Sequence, residues 1–199
     1  MRCEDIASHP DFRPLSAIAG IAIDLRYAGP HNFVGRDLYG DLDCGWLHRE
    51  AASALQLAAT RLAADLPGHR LLVLDALRPH RVQRLLWAHL AGTGLREYVA
   101  DPAIGSIHSY GMAVDATIVG PDGCELDMGS GFDEMSERSH PRLEAEHLAA
   151  GRLTLVQHGH RERLRASMAA GGFGGIPNEW WHFDLGDRDQ VRHRYTRVE

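Results

Sequence analysis

Two short stretches of this sequence carry side chains able to hold and use a metal ion: SIHSYGMAVD at residues 106–115 and EWWH at residues 179–182. The first sets His108 and Asp115 seven residues apart across Gly111, and the second puts Glu179 beside His182. Imidazole and carboxylate are zinc-type ligands, and a catalytic zinc takes three protein ligands with the fourth position left open. His108, Asp115 and His182 therefore form a candidate ligand set for one Zn2+ per chain. Glu179 is the candidate base, a carboxylate outside the metal shell that takes the proton of the attacking water.

Those residues need an unusual backbone to meet. On an uninterrupted strand, side chains an odd number of residues apart point to opposite faces. A loop or bulge at Ser109 to Met112, which Gly111 permits, is expected to bring His108 and Asp115 to one side. Glu179 and His182 face the same obstacle; Pro177-Asn178 offers a bend that places Glu179 at a strand's entrance and His182 within the strand. Other histidines are read as structural. His158-Gly159-His160 has a ligand-like spacing, but Arg161, Arg163 and Arg165 follow and oppose a cation, so a solvated helix start is expected. His140 and His147 are read in the same way, and Trp180, Trp181 and Phe183 as core aromatics.

The surrounding elements follow from pattern. Residues 1–45 are punctuated by proline and glycine, with one strand-like run from Ala17 to Leu25. Apolar residues at three- and four-residue intervals predict a helix from Leu47 to Leu66, stopped by Pro67-Gly68. Leu71 to Leu74 reads as a buried strand, and a second helix is expected from Pro79 to about Leu90. Residues 111–119 and Cys124 to Met128 look like two strands around Pro121-Asp122-Gly123. Helical spacing recurs at Pro141 to Ala150 and His160 to Ala170, and a glycine-rich stretch leads into a final strand, Trp180 to Leu185. Helices and strands that do not alternate regularly point to an α+β fold, with helices packed on a small antiparallel sheet that carries the zinc site.

Bulk properties narrow the function classes. At 199 residues the chain suits one domain spanning 1–199. Its 44% hydrophobic and 24% charged content, without low-complexity tracts, gives a disordered reading little support. The net charge of −6, with basic residues scattered through both halves, argues against a nucleic-acid partner. Three widely separated cysteines fit reduced thiols better than a disulfide framework. The N-terminus has neither the basic start nor the apolar run of a secretory signal, and no segment is long enough for a membrane span, so a cytoplasmic location is expected.

The pattern S-x-H-x-x-G-x-A-x-D, followed by E-x-W-H, resembles the zinc D,D-peptidase superfamily (peptidase family M15, whose fold is shared by hedgehog signalling domains). Ser106, His108, Gly111, Ala113, Asp115, Glu179, Trp181 and His182 fill its positions. Further stretches narrow the resemblance to the VanX-type D-alanyl-D-alanine dipeptidases. These are Ile23-Asp24-Leu25-Arg26-Tyr27-Ala28, then Asn32-Phe33 and Gly35, Asp75-Ala76-Leu77-Arg78-Pro79, and Met128-Gly129-Ser130 with Phe132-Asp133 through Glu137-Arg138-Ser139-His140. The resemblance implies a zinc held by His108, Asp115 and His182, with Glu179 as base and acid and Arg78 beside the reacting carbonyl. It further implies that Ser106 and Asp133 help define a closed pocket around the dipeptide termini. Ile107, Tyr110 and Met112 stand where smaller or more polar residues are expected, which bears on pocket shape.

The expected activity is zinc-dependent hydrolysis of D-Ala-D-Ala to two D-alanines. A permanently cationic Arg78 suits the developing oxyanion, and Asp133 suits the substrate's ammonium. A D,D-carboxypeptidase or a peptidase for other short D-peptides is the enzymatic alternative. A zinc-stabilised binding module, as in hedgehog signalling domains, is the non-catalytic one, and Glu179 beside three intact ligands disfavours it.

Overall fold

The computed structural model describes all 199 residues. In chain order its elements are β1 (Phe12–Pro14), β2 (Ile21–Ile23), β3 (Trp46–His48), α1 (Arg49–Asp65), β4 (Arg70–Asp75), α2 (His80–His89), β5 (Ala113–Val119), α3 (Glu144–Ala149), α4 (Leu155–Ala170), β6 (Phe173–Ile176), β7 (Glu179–Leu185) and α5 (Arg188–Arg194). One sheet has the order β2-β4-β5-β7-β6, and β1 pairs with β3 apart from it. The architecture is the expected α+β. Its sheet is antiparallel except at one edge, where β2 runs parallel to β4.

The two faces of the sheet have different tasks. Leu71 and Val73 of β4 and Val114, Ala116 and Ile118 of β5 join Ala51, Leu55, Ala58 and Leu62 of α1 and Leu164 and Met168 of α4 in the main core. Burying side chains of this size contributes roughly 1.5–3 kcal/mol each, so this face holds the strands in place. The period of two then turns Asp115 away from the helices. His182 and Asp184 follow the same rule in β7, whose Phe183 belongs to the core.

Some boundaries differ from the sequence pattern for identifiable reasons. α4 begins at Leu155, not His160, because Thr154 and Gln157 form a capping box: Gln157 N donates to Thr154 Oγ1 at 3.2 Å, and Thr154 N to Gln157 Oε1 at 2.8 Å. Arg161 thereby falls inside the helix and is buried. Its guanidinium donates to Met128 O at 2.6 Å and Arg138 O at 2.9 Å, fastening both ends of the loop that carries Asp133. The second strand of the expected hairpin does not form: Cys124 to Met128, just before that loop, makes only an isolated bridge at Val119–Glu125 and a bond from Leu126 N to Ile118 O. The glycine-rich segment before β7 becomes β6, a strand imposed by pairing rather than by propensity. No helix is long and apolar enough to cross a membrane.

Gly111 has the left-handed conformation the opening motif requires, with φ of 65°. A Cβ there would lie 2.7 Å from the backbone nitrogen of His48 and 2.8 Å from the Phe12 ring. Left-handed strain and overpacking add, so Gly111→Ala is expected to destabilise the protein by on the order of 2–5 kcal/mol. Urea denaturation measures it; a loss below about 1 kcal/mol would refute the fit described.

Candidate functional site

Three central strands place the site in one row. Asp75, at the end of β4, lies opposite Asp115 in β5, and Asp115 lies opposite His182 in β7. A bulge between Val73 and Asp75 shifts the register by one residue, which turns Asp75 toward the face of Asp115. His108 joins them from a single 3-10 turn, Ile107–Tyr110, closed by Gly111. This turn is the break in alternation that the seven-residue spacing demanded.

The three expected ligands converge. His182 Nδ1 lies 3.0 Å from Asp115 Oδ1, His108 Nε2 lies 3.1 Å from His182 Nδ1, and His108 Nε2 lies 3.3 Å from Asp115 Oδ1. The outward nitrogens are already committed. His108 Nδ1 meets Ala76 O at 2.8 Å and His182 Nε2 meets Asp184 Oδ1 at 2.9 Å; both partners can only accept, so both ring nitrogens donate. Each inward nitrogen is therefore free to present a lone pair, next to an ionised carboxylate. Three acceptors this close repel unless a cation sits among them, and the tautomers are set as metal-binding histidines require. Burial alone would lower the His182 pKa, but Asp184 and Asp115 raise it to about 10.

Arg78 is buried. Nε donates to Asp75 Oδ2 at 2.8 Å, Nη1 to Gln83 Oε1 at 3.2 Å, and Nη2 contacts Asp75 Oδ2 at 2.7 Å and Asp115 Oδ2 at 3.1 Å. It thus bridges two carboxylates that would otherwise repel across the β4–β5 pair. Tyr39 donates to the other oxygen of Asp75.

Glu179 opens β7 at the end of the Pro177-Asn178 turn. Ile176 pairs with Glu179, yet Gly175 pairs with Phe183; the extra residues in β7 form a bulge that lets Glu179 and His182 line one cavity. Burial raises the Glu179 carboxyl to about 7. The cavity, about 140 Å³ in volume, also takes in Arg78, Ser106 and Asp133. Pockets for drug-sized ligands run to roughly 300–1,000 Å³, so this one suits a smaller molecule.

Asp133 has a left-handed backbone with φ of 58°. Tyr27 OH donates to its Oδ1 at 3.0 Å and Phe33 N to its Oδ2 at 3.4 Å. Burial, and then the charge of Asp115, raise its carboxyl to about 8. No cation of the protein pairs with it directly, so an ammonium entering the cavity would find a carboxyl group without a cationic partner, and would favour its ionised form. Of the three residues expected to shape the pocket, only Ile107 lines it; Tyr110 and Met112 pack in the main core.

The other histidines are structural. His140 Nε2 bonds Tyr98 OH at 2.7 Å and His147 Nε2 bonds Glu137 O at 2.8 Å. His158 lies 3.5 Å from Glu144, but Arg161 and Arg165 already occupy that carboxylate. It sits within α4, not at a solvated helix start. Two features of the site escaped the sequence reading. Asp184 braces His182 and accepts from Arg188 Nε at 2.6 Å; its two neighbours hold its carboxyl at about 2 despite burial. The signal was present, since H-x-D on a strand puts both side chains on one face. The second is α5, which brings Arg188 and Arg192 to the cavity.

Over residues 11–199 the chain matches the peptidase M15 family described as D-ala-D-ala dipeptidase. It is 41% identical over 165 residues to a D-alanyl-D-alanine dipeptidase of Escherichia coli strain K12, covering 83% of this chain and 79% of that one. A D-alanyl-D-alanine dipeptidase of Enterococcus faecium is 34% identical over 187 residues, covering 85% and 88%. Among solved structures, that of the LdcB LD-carboxypeptidase aligns with a TM-score of 0.50 at 16% identity, covering 93% of this chain and 72% of that one. At that identity the likeness speaks for the fold alone.

Proposed function

The chain belongs to the peptidase M15 family of D-Ala-D-Ala dipeptidases, a family of metallopeptidases, and from that premise we propose that it hydrolyses D-Ala-D-Ala to two D-alanines with one zinc ion held by His108, Asp115 and His182. The observation that carries the metal assignment is the convergence of two imidazole lone pairs and a carboxylate within 3.0–3.3 Å, each imidazole fixed from behind by an acceptor. Bound zinc supplies a Lewis acid that acidifies water and polarises the scissile carbonyl.

The protein's own groups do the rest. Glu179, half-buried beside the ligands, accepts the proton of the attacking water and returns it to the departing amine nitrogen. Its raised pKa suits both tasks, because the acid form is not far in energy from the base form near neutrality. Arg78 lines the cavity and has one N–H on Nη1 left after Gln83 is served, a donor available to the negative charge that develops on the carbonyl oxygen. Asp133 takes the substrate's ammonium, and Ser106 lines the same cavity wall. A longer peptide would leave Asp133 without its charged partner, which favours a free dipeptide over a peptidoglycan strand.

The test is release of D-alanine. Purified protein is expected to hydrolyse D-Ala-D-Ala, to stop on chelation, and to recover when Zn2+ is restored. Capping the dipeptide's amine with acetyl is expected to lower kcat/KM by about tenfold or more, since a charged hydrogen bond to Asp133 is lost. Equal turnover of capped and free dipeptide would overturn the closed-pocket reading, and activity unaffected by chelation would overturn the metal.

A further inference from the structure

A free dipeptide is a zwitterion, and its carboxylate needs a cation that the groups assigned so far do not supply. Arg78 cannot serve. Nε donates to Asp75, Nη1 to Gln83 and Nη2 to Asp115, with Nη2 also 2.7 Å from Asp75, so two carboxylates already occupy the guanidinium and the donor clear of them is the second N–H of Nη1. That donor is needed at the reacting carbonyl, and a carboxylate is best gripped by two parallel N–H bonds.

The remaining cations on the cavity wall are Arg188 and Arg192. They are four residues apart on α5 and so share one helix face, and α5 packs on the Ile107–Tyr110 turn that carries His108. Both arginines are anchored from behind. Arg188 Nε donates to Asp184 Oδ2 at 2.6 Å, and neither of its terminal nitrogens donates to a protein group. Arg192 Nε and Nη2 both point to Gly105 O at 3.1 Å, next to Ser106, while Nη1 meets Asp189 at 3.0 Å. The Arg188 side chain is therefore oriented with its fork end unengaged, and Arg192 reinforces the positive charge beside it.

We propose that Arg188 and Arg192 form the carboxylate anchor of this pocket, binding the free C-terminus of the dipeptide and setting the enzyme's preference for a substrate that ends there. This rests on the dipeptidase reading above. Asp133 and the two arginines then mark opposite ends of a zwitterion, with the ligands and Glu179 between them in the chemistry. A substrate lacking the C-terminal charge would leave the cationic end unpaired in a confined space, the arrangement that gives large discrimination.

The experiment compares D-Ala-D-Ala with its C-terminal amide. Two ratios are read for wild type, Arg192→Ala and Arg188→Ala: acid over amide in kcat/KM, and acid over amide in calorimetric affinity in zinc-loaded protein carrying Glu179→Gln. Zinc content is measured on each variant, because Arg188 also braces Asp184 behind His182. Wild type is expected to prefer the acid by about 10- to 100-fold, the effect of a charged hydrogen-bonded pair. In Arg188→Ala that preference is expected to collapse to within about threefold, carried by KM, and Arg192→Ala to lie between. Arg188→Lys, which keeps the charge but loses the fork, is expected to restore part of it. An acid-over-amide preference unchanged in both alanine variants overturns the anchor, as does a uniform loss on both ligands. Wild type that hydrolyses neither compound refutes the dipeptidase reading instead, and the affinity ratio still decides the anchor.

Discussion

Glu179→Gln is expected to lower kcat/KM for D-Ala-D-Ala by about 10²- to 10⁴-fold while leaving zinc content unchanged. The substitution keeps the shape of the side chain and removes only its capacity to accept a proton. No ligand atom is lost, since Glu179 stands outside the cluster that His108, Asp115 and His182 form. The pH profile checks the same assignment. Burial raises the carboxyl to about 7, and the protonated form cannot act as base. Activity therefore falls as pH drops through the limb set by this group, and a dication nearby moves that limb below 7. The limb should be absent from the residual activity of the variant. Stability supplies an independent sign. In the metal-free protein the raised pKa makes ionisation of Glu179 unfavourable in the folded state, so stability from this group is present below the unfolded pKa and declines as pH rises toward about 7. Metal-free Glu179→Gln should then melt higher than metal-free wild type at pH 8. Full activity in the variant would remove Glu179 from the mechanism.

Asp115→Ala is expected to weaken zinc binding by more than the ~10- to 100-fold typical of losing a supporting group, and to reduce hydrolysis to the background rate. Asp115 is the group with the most obligations in the site. One oxygen faces both imidazoles, and the other accepts from Arg78. Removing it deletes a ligand and leaves a buried guanidinium with Asp75 as its only carboxylate. Zinc content by metal analysis and unfolding in urea separate the two effects: metal is lost from both, but stability falls in the metal-free protein as well. Asp115→Asn, which can still accept from Arg78, should recover the stability more than the metal. Zinc bound as tightly by Asp115→Ala as by wild type would exclude this residue from the ligand set.

The residue types that converge at the proposed metal site were legible in the sequence, and so was the place where the backbone had to turn. Gly111 between His108 and Asp115 announced a break, and the structure answers with a 3-10 turn closed at positive φ. The Glu179–His182 geometry was only half legible. Pro177-Asn178 marked a bend, but the bulge that brings both side chains to one cavity depends on register with β6, and the glycine-rich β6 has no strand signature of its own. Arg161 shows the same limit from another direction. An arginine in a basic helix reads as solvated, and only the folded loop from Met128 to Arg138 supplies the carbonyls that make its burial favourable. Asp184 was readable from two-residue spacing, whereas the anchoring of Arg188 by Asp184 required the start of α5 to fall where it does.

The row of Asp75, Asp115 and His182 across β4, β5 and β7 also governs when in the life of the chain its chemistry can begin. His182 lies 67 residues from Asp115 and 74 from His108 along the sequence, so the centre is made by long-range pairings and by no local segment. A nascent or nicked chain without β7 has two of the three proposed ligands and lacks the proposed base. On the proposed mechanism, competence to cleave a peptide therefore arrives in one step with completion of the sheet, and not before the slow, long-range pairing of β7 is made.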